Sequence, residues 1–372
     1  MKKSVWFVAS NPFNPDPRAE KQMKFLSNNG FRVSGIGWDR SNNNDSTFSV
    51  SNNVNVEEMG IKGAFGSGLK NLFPLVKFNI RLFFKLLKNN EKIDIIQSVN
   101  LDTGLTCLFF SKIFNKKMTY DIYDYYADAF PVPSIFKPLV KKIENFVIDK
   151  SDSVILPIDS RKAQIKGSHP KSLLTIYNTP DINATEVSNK YYKLYRKGKI
   201  NISFVGSLTP NRFLDELIDI SRRRNDIFLH IAGFGNEKIV DNIKDKRNGN
   251  VRFYGKVPYK DGLAISKMSD MMVAIYNPTI TNHKYSAPNK FYESLLLGKP
   301  IVVAKGTGID NLVDAYNVGY SIDYNENDFE SLLNVLNYSK LEKFKKNNQK
   351  VYMDHFSWSM MEKRLLNQYR KL

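Results

Sequence analysis

Short apolar runs alternate with helix-patterned stretches in two successive series, and no other feature restricts the fold of this 372-residue chain so tightly. The first series is SVWFVA (4–9), RVSGIG (32–37), IDIIQSV (93–99), KMTYDIY (117–123) and SVILP (153–157), with the helical pattern RAEKQMKFLSNNG between its first two members. The second is NISFVGS (201–207), IFLHIAG (227–233), VRFYGKV (251–257), MMVAIY (271–276) and PIVVA (300–304). Strands separated by helices join through crossovers into parallel sheets, so each series predicts its own open α/β sandwich. The length fits two such domains.

Between the series, residues 178–199 (NTPDINATEVSNKYYKLYRKGK) are polar and weakly periodic, and they read as the interdomain linker. The expected division is an N-terminal domain over 1–180, a C-terminal domain over 181–350, and a last helix, 351–372, that packs back on the N-terminal domain. The Asn-rich stretch 39–55 reads as a surface loop. Two facing doubly wound sheets would leave a central cleft bounded by the carboxyl ends of their strands, which is where such sheets bind ligands.

Lys and Arg number 55 against 37 Asp and Glu, a net charge of +18. That balance favours anionic partners: nucleic acid, acidic lipid headgroups or phosphorylated small molecules. No apolar run reaches the roughly 18 residues that a membrane span needs, and the apolar part of MKKSVWFVAS is short for a signal peptide. A cytoplasmic location is the expectation. The single cysteine, Cys107 within LTCLFF, reads as a buried, inert thiol in a reducing compartment. His169, His230, His283 and His355 show no metal-ligand spacing, so none is assigned to zinc.

The second series carries the densest chemistry. Gly206 closes its first strand, and Pro210 and Asn211 follow near the expected start of an amphipathic helix. A glycine-bearing turn into a helix N-terminus can seat a phosphate, with Arg212 within reach; an ordinary turn with a solvated arginine is the alternative. Further on, SAPNKFYESLLLGKPIVVAKGTG (286–308) puts Pro288 at the first turn of a short helix and Gly298 and Pro300 at its end. Lys290 and Glu293 then share one face, and helical side chains lean toward the N-terminus, so both groups point to the helix mouth. There a carboxylate can accept two hydrogen bonds from a vicinal diol such as a ribose, and an ammonium can meet a diphosphate. An exposed i,i+3 ion pair is the competing reading.

Taken in order over 201–335, the segments FVGSL, LHIAGFGNE, VRFYGKVP, ISKMSDMMVAIYNP, APNKFYESLLLGKPIVVAKGTG and NVGYSIDYNENDFESLL resemble the nucleotide-sugar-binding half of GT-B glycosyltransferases. The resemblance is to the family 4-type (group 1) bacterial polysaccharide enzymes in particular. It implies a GT-B fold, two Rossmann-like parallel-sheet domains facing a central cleft. It also implies that Glu293 binds the donor ribose and that Arg212 and Lys290 contact the diphosphate beside Gly206, Pro288 and Asn289. Gly306, Thr307 and Gly308 would turn next to the sugar. One departure is plain: the family often has a second glutamate eight residues before the ribose-binding one, and Tyr285 stands there. The Pro288–Asn289–Lys290 form looks like a branch in which the lysine supplies the phosphate contact.

NPFNPDPRAEKQMKFLSNNGFRVSGIG (11–37) resembles the opening of the same enzymes, and EKIDIIQSVNLDTG (91–104) and KMTYDIYDYYADAF (117–130) resemble their next two landmarks. Where many relatives read Asp-x-His-Glu, this chain has Asp121, Ile122, Tyr123 and Asp124. Transfer with inversion needs a group to take the acceptor hydroxyl's proton, usually a carboxylate. Asp124 is the favoured candidate, with Asp128 and Asp121 behind it. Arg18, Asp102 and Tyr123 are the expected acceptor-side residues, although Asp102 in its NLDTG turn also reads as a helix cap.

Residues 68–92 (GLKNLFPLVKFNIRLFFKLLKNNEK) are basic and apolar, with Leu72, Leu75, Val76, Ile80, Phe83, Phe84 and Leu87 recurring near helical spacing. Such a helix can lie in an anionic membrane interface, or it can pack on a sheet with snorkelling lysines. The expected function is transfer of a sugar from a nucleoside-diphosphate-sugar, UDP favoured, to a lipid-linked glycan acceptor at the inner face of the cell membrane. No metal or other cofactor is expected, because no Asp-x-Asp pair lies in a suitable loop. The competing classes are a basic nucleic-acid-binding module, which would need a recognition helix or finger the sequence lacks, and a GT-B-like nucleotide-sugar epimerase or phosphorylase.

Overall fold

The computed structural model describes residues 2–63, 71–245 and 249–372. The chain forms two compact units, Met1–Tyr177 with Ser359–Leu372, and Asn178–Trp358.

The first unit has eight strands: β1 (Ser4–Val8), β2 (Arg32–Asp39), β3 (Ser46–Ser51), β4 (Val54–Gly60), β5 (Ile95–Val99), β6 (Lys117–Asp121), β7 (Ser153–Leu156) and β8 (Leu173–Thr175). They lie in the order β3-β4-β2-β1-β5-β6-β7-β8, and every neighbouring pair is parallel except β3–β4. All residues of β1, β5 and β7 are buried, which is why Val5–Val8 and Val154–Leu156 are unbroken apolar runs rather than alternating ones, while β5 also buries Gln97 and Ser98. The helices are α1 (Pro17–Asn28), α2 (Leu72–Lys88), α3 (Asn100–Ile113), α4 (Tyr126–Ala129) and α5 (Lys137–Lys150). Asp16 caps α1, its carboxylate accepting from the backbone N–H groups of Arg18 and Ala19, with Pro17 at the first helical position.

One expectation fails in this unit, and one reading stays open between its two alternatives. The 39–55 stretch is not a loop throughout, because Ser46–Ser51 pairs antiparallel with β4. As the outermost strand it has no buried residue, and Phe48 and Val50 alternate with Ser and Thr, a weak signal within an Asn-rich stretch. The open reading concerns α2. Its core-facing stripe is Phe78, Leu82 and Leu86, while Leu72, Val76, Ile80, Phe84 and Leu87 of the expected stripe are exposed. The helix is apolar on two faces, and the sheet covers one. Residues 68–70 of the predicted basic segment lie outside the described residues.

Glu144, on α5, is fully buried; its Oε1 accepts from the Tyr120 hydroxyl at 3.0 Å and its Oε2 from the Tyr126 backbone N–H at 2.9 Å. Burial pushes its carboxyl up to about 8. The folded chain therefore keeps a proton that the unfolded chain loses above its ordinary value of 4.5. This group's contribution to stability is complete below about pH 4.5 and disappears as the pH rises through about 8. Glu144→Gln stays neutral, accepts the Tyr126 N–H with its oxygen and donates its amide to Tyr120. Urea titrations from pH 6 to 9 should show wild-type stability falling more steeply than that of Glu144→Gln; parallel curves would refute the assignment.

The second unit has β9 (Ile200–Leu208), β10 (Ile227–Gly235), β11 (Val251–Phe253), β12 (Met271–Ala274), β13 (Ile301–Ala304) and β14 (Gly319–Ile322), all parallel, in the order β11-β10-β9-β12-β13-β14. Its helices include α6 (Leu214–Arg223), α7 (Glu237–Lys244), α8 (Tyr259–Met268), α9 (Asn289–Leu297) and α10 (Ile309–Tyr316). The strand order reverses between β9 and β12, the switch point at which doubly wound sheets take ligands. The GFG sequence reflects strand packing: a Cβ on Gly233 would lie 1.8 Å from the Gly206 carbonyl oxygen, and one on Gly235 2.2 Å from that of Leu208.

The segment 178–199 is no free linker, since it belongs wholly to the second unit. Tyr191, Leu194 and Tyr195 pack against Ala232, Ile265 and Met268, and Lys190 pairs with Asp261 at 2.6 Å. Its tyrosines, not its polar majority, decide where it goes. After α11 (Glu326–Val335) and α12 (Tyr338–Val351), helix α13 (Trp358–Lys371) carries the chain into the first unit from Ser359 onward. There Met361, Leu365 and Tyr369 are fully buried, and the Tyr369 hydroxyl donates to Gln97.

Candidate active site

In the second unit, α9 runs Asn289–Leu297 with Pro288 as its N-cap and Gly298 ending it at φ 67°, the bounds that proline and glycine predict. Its side chains are almost wholly buried. Lys290 and Glu293 are each only 6% exposed, so the competing reading of a solvent-exposed ion pair does not hold. The Lys290 Nζ lies 4.4 Å from the Phe204 ring centroid and beside Gly206, where an added Cβ would sit 3.0 Å from that nitrogen. Gly206 has φ 145°, so a side chain there would meet both backbone strain and the ammonium. At the helix entrance Asn289 is exposed and Pro288 buried.

Tyr276 follows β12 on the carboxyl side and organises the cations. The Arg212 guanidinium lies 4.8 Å from its ring centroid and the Lys290 ammonium 5.8 Å. Burial raises its phenol, yet Lys290 and Arg212 more than offset that and leave it below its ordinary value. Glu293 hydrogen-bonds Tyr259 at the start of α8; burial, then this carboxylate, push the Tyr259 hydroxyl well up. Pro210, Asn211 and Arg212 lie just ahead of α6, near its start as expected. Asn211 and Phe213 both take left-handed conformations, φ 64° and 57°, and α6 starts only at Leu214. His283, set near this helix by its sequence position, holds the Asn277 carbonyl at 3.1 Å and lies 5.4 Å from the Tyr276 ring.

At the next strand end, Gly306 and Gly308 have φ 77° and 75° and turn the chain into α10. The Thr307 hydroxyl donates to the Ala304 carbonyl at 2.6 Å and the residue is buried. Thr307 thus offers a ligand backbone rather than side chain. Gly306 N–H donates to Asp310 at 2.7 Å.

The acids of the first unit fall into different environments. Asp121, at the end of β6, has no exposed surface; its carboxylate pairs with Arg18 at 2.9 Å and accepts from Gln97 at 2.9 Å. Arg18 is 7% exposed and also donates to the Ile176 carbonyl at 2.6 Å. These two expected site residues form a buried ion pair. Asp128 accepts from Gln164 at 3.0 Å and faces Lys141 at 3.3 Å, with its side chain 9% exposed. Asp124 differs: its side chain is 41% exposed and is held by Arg161 at 2.8 Å. Arg161 is itself 3% exposed, and burial lowers its ordinary value. Tyr123 donates to Asp16 at 3.2 Å, with Arg18 5.2 Å from its ring. Asp102 is no cap; it lies in the first turn of α3 and accepts from the Ser10 hydroxyl at 2.7 Å and from Tyr126.

Tyr276, Tyr259 and Arg161 escaped the sequence reading. The position of Tyr276 after a β-strand, on the side where open sheets bind, was the one available signal. Nothing in the spacing links Arg161 to Asp124, 37 residues away. Cys107 is buried and its thiol is pushed up to about 12, too high for a nucleophile. Among the described residues, no group of three or more His, Cys, Asp or Glu could hold a metal ion, and no helix is long and apolar enough to cross a membrane.

Residues 192–351 match the glycosyl transferases group 1 family. An uncharacterized glycosyltransferase of Methanocaldococcus jannaschii is 25% identical over 320 residues, which is 79% of each chain. Among solved structures, sucrose-phosphate synthase of Thermosynechococcus elongatus superposes with a TM-score of 0.75 at 14% identity, covering 100% of this chain and 99% of that one. Anabaena HepE in complex with UDP superposes with a TM-score of 0.74 at 15% identity and covers 100% of both chains. The same protein has been solved in complex with UDP-glucose.

Proposed function

We propose that this chain, a glycosyltransferase of GT-B fold whose residues 192–351 form a group 1 domain, moves a sugar from a UDP-sugar to a lipid-linked glycan acceptor in the synthesis of a bacterial surface polysaccharide. The observation that carries the donor half is the buried Lys290 ammonium next to Gly206, with Arg212 across the Tyr276 ring and Glu293 one turn along α9. A buried ammonium is costly unless an anion meets it. A diphosphate between Lys290 and Arg212 meets both, and Glu293 is placed for the ribose hydroxyls. UDP is chosen because it is the nucleotide in the HepE complexes.

As the glycosidic bond to the donor breaks, charge accumulates on the departing diphosphate. Lys290 and Arg212 neutralise it there, in a site of low dielectric, and do the work a divalent cation does elsewhere. Asp124 takes the acceptor hydroxyl's proton, and Arg161 fixes the direction in which its carboxylate points. Tyr123 and Asp102 line the acceptor side. The basic, apolar α2 holds the enzyme to the anionic inner face of the membrane, where lipid-linked acceptors reside.

Calorimetric titration with UDP tests the donor site. Lys290→Met and Glu293→Gln should each weaken binding by about 1.5–3 kcal/mol, roughly 10- to 150-fold in Kd. A chelator should change neither affinity nor turnover. Wild-type UDP affinity in both variants would dismiss this donor site, and thermal stabilisation by single-stranded DNA rather than UDP would favour the nucleic-acid reading.

A further inference from the structure

The apolar side of α2 that the sheet leaves uncovered does not stand alone. Between α2, α3 and α5 runs a groove of ≈ 640 Å³ lined by Ile80, Phe84, Leu105, Phe109 and Ile143. A second recess of ≈ 450 Å³ continues it toward Phe136 and Leu139, sharing Leu75, Asp102, Tyr126 and Val140 with the first. Large apolar side chains stay exposed along its edges, among them Phe73 at 79%, Phe84 at 63% and Ile135 at 80%. So extensive an exposed apolar surface marks a binding site.

Two observations identify the occupant. First, the polar groups within the groove satisfy one another. Asn79 Nδ2 donates to the Leu75 and Asp102 carbonyls at 2.9 Å, the Thr106 hydroxyl donates to Asn79 Oδ1 at 2.6 Å, and Asp102 is taken by Ser10 and Tyr126. The walls ask for no hydrogen bond, so the ligand there is hydrocarbon. Second, the exposed charge on the three helices around the groove is mostly positive, and Asp102, the acid that lines it, is already taken by Ser10 and Tyr126. Helix α2 has no acidic residue, and Lys77, Lys88, Lys112, Lys137 and Lys142 stand exposed on the three helices. A second copy of this chain would bring the same positive charge, whereas a hydrocarbon chain ending in an anionic headgroup would find its complement. The groove begins at Asp102 and Tyr126, which follow β5 and β6 at the carboxyl edge of the sheet, close in sequence to Asp124.

We infer that the α2–α3–α5 groove holds the hydrocarbon chain of the lipid-linked acceptor, with the chain's head at the carboxyl edge of the first sheet. This rests on the reading that the acceptor is lipid-linked, and it predicts that acceptor affinity depends on chain length.

The probe is 11-(dansylamino)undecanoic acid below its micellar concentration. Its fluorescence should rise saturably with one site per chain, and Leu105→Trp and Ile143→Trp, which fill the groove from α3 and α5, should each raise its Kd at least tenfold. Far-UV circular dichroism establishes that each variant is folded, and two variants on different helices guard against a local defect in one. Phe73→Ser with Ile135→Ser, exposed residues that line neither recess, should weaken flotation with phosphatidylglycerol vesicles and leave dansyl-undecanoate binding within twofold. Absence of saturable binding to the wild type would overturn the inference, as would equal binding by both tryptophan variants. Vesicle binding without probe binding makes the face an adsorption surface and likewise overturns it. A dimer in ultracentrifugation that Phe84→Ser dissolves assigns the face to a second copy instead. Loss of UDP affinity bears on the donor site alone, so the two readings fail separately.

Discussion

Asp124→Asn lowers turnover by about 10²- to 10⁴-fold and leaves UDP affinity unchanged. The asparagine keeps the shape of the side chain and can still accept from Arg161; it loses the capacity to take a proton and the charge that Arg161 pairs with, so a thermal melt must accompany the kinetics. Asp124 is the expected acid with substantial exposure, 41% against 9% for Asp128 and none for Asp121. Kinetics with saturating UDP-sugar, beside calorimetry with UDP, separate the two quantities. A turnover within threefold of wild type would exclude Asp124 as the base. Product stereochemistry offers a second check, because a base acting on the acceptor belongs to transfer with inversion, visible in the anomeric proton coupling of the product.

Arg18→Met destabilises the first unit by about 3–5 kcal/mol, the usual consequence of stranding one partner of a buried ion pair. The methionine leaves Asp121 without its cation, and the Gln97 amide at 2.9 Å cannot neutralise a carboxylate. The Ile176 carbonyl loses its donor as well. Trp6 and Trp38 lie in the first unit, so intrinsic fluorescence in urea follows the affected transition. UDP affinity should be unaltered, because Lys290 and Glu293 belong to the other unit. An unfolding midpoint equal to that of the wild type would show that the pair contributes nothing.

The parts of this protein that the sequence made legible are those where one local rule decides. β12 and β13 are short apolar runs, and β1 is one from Val5 on, because parallel strands are covered on both faces. α9 is bounded by Pro288 and Gly298, whose backbone preferences fix a start and a stop wherever they occur. What stayed hidden depends on partners distant along the chain. β3 is a strand only because β4 offers an edge to it. Residues 178–199 look like a linker until Tyr191 and Tyr195 find their places against the second unit. The same limit applies within the site: Arg161 reaches Asp124, and Glu293 reaches Tyr259, only after the fold has formed. The spacing of α2 left open whether its apolar residues meet a sheet or a membrane, since a helix with two apolar faces gives no hint which one the sheet will take.

The return of the chain at Ser359 makes the second unit an insertion within the first. The host is interrupted at Tyr177 and resumes for residues 359–372, which supply the tyrosine that closes onto Gln97 beside Asp121. During synthesis the host must therefore wait, its sheet assembled and its innermost polar cluster open on one side, while the whole guest emerges and folds. A nascent chain arrested before residue 359 should accordingly bind UDP through the guest while its host remains sensitive to protease, and extension through Tyr369 should restore resistance.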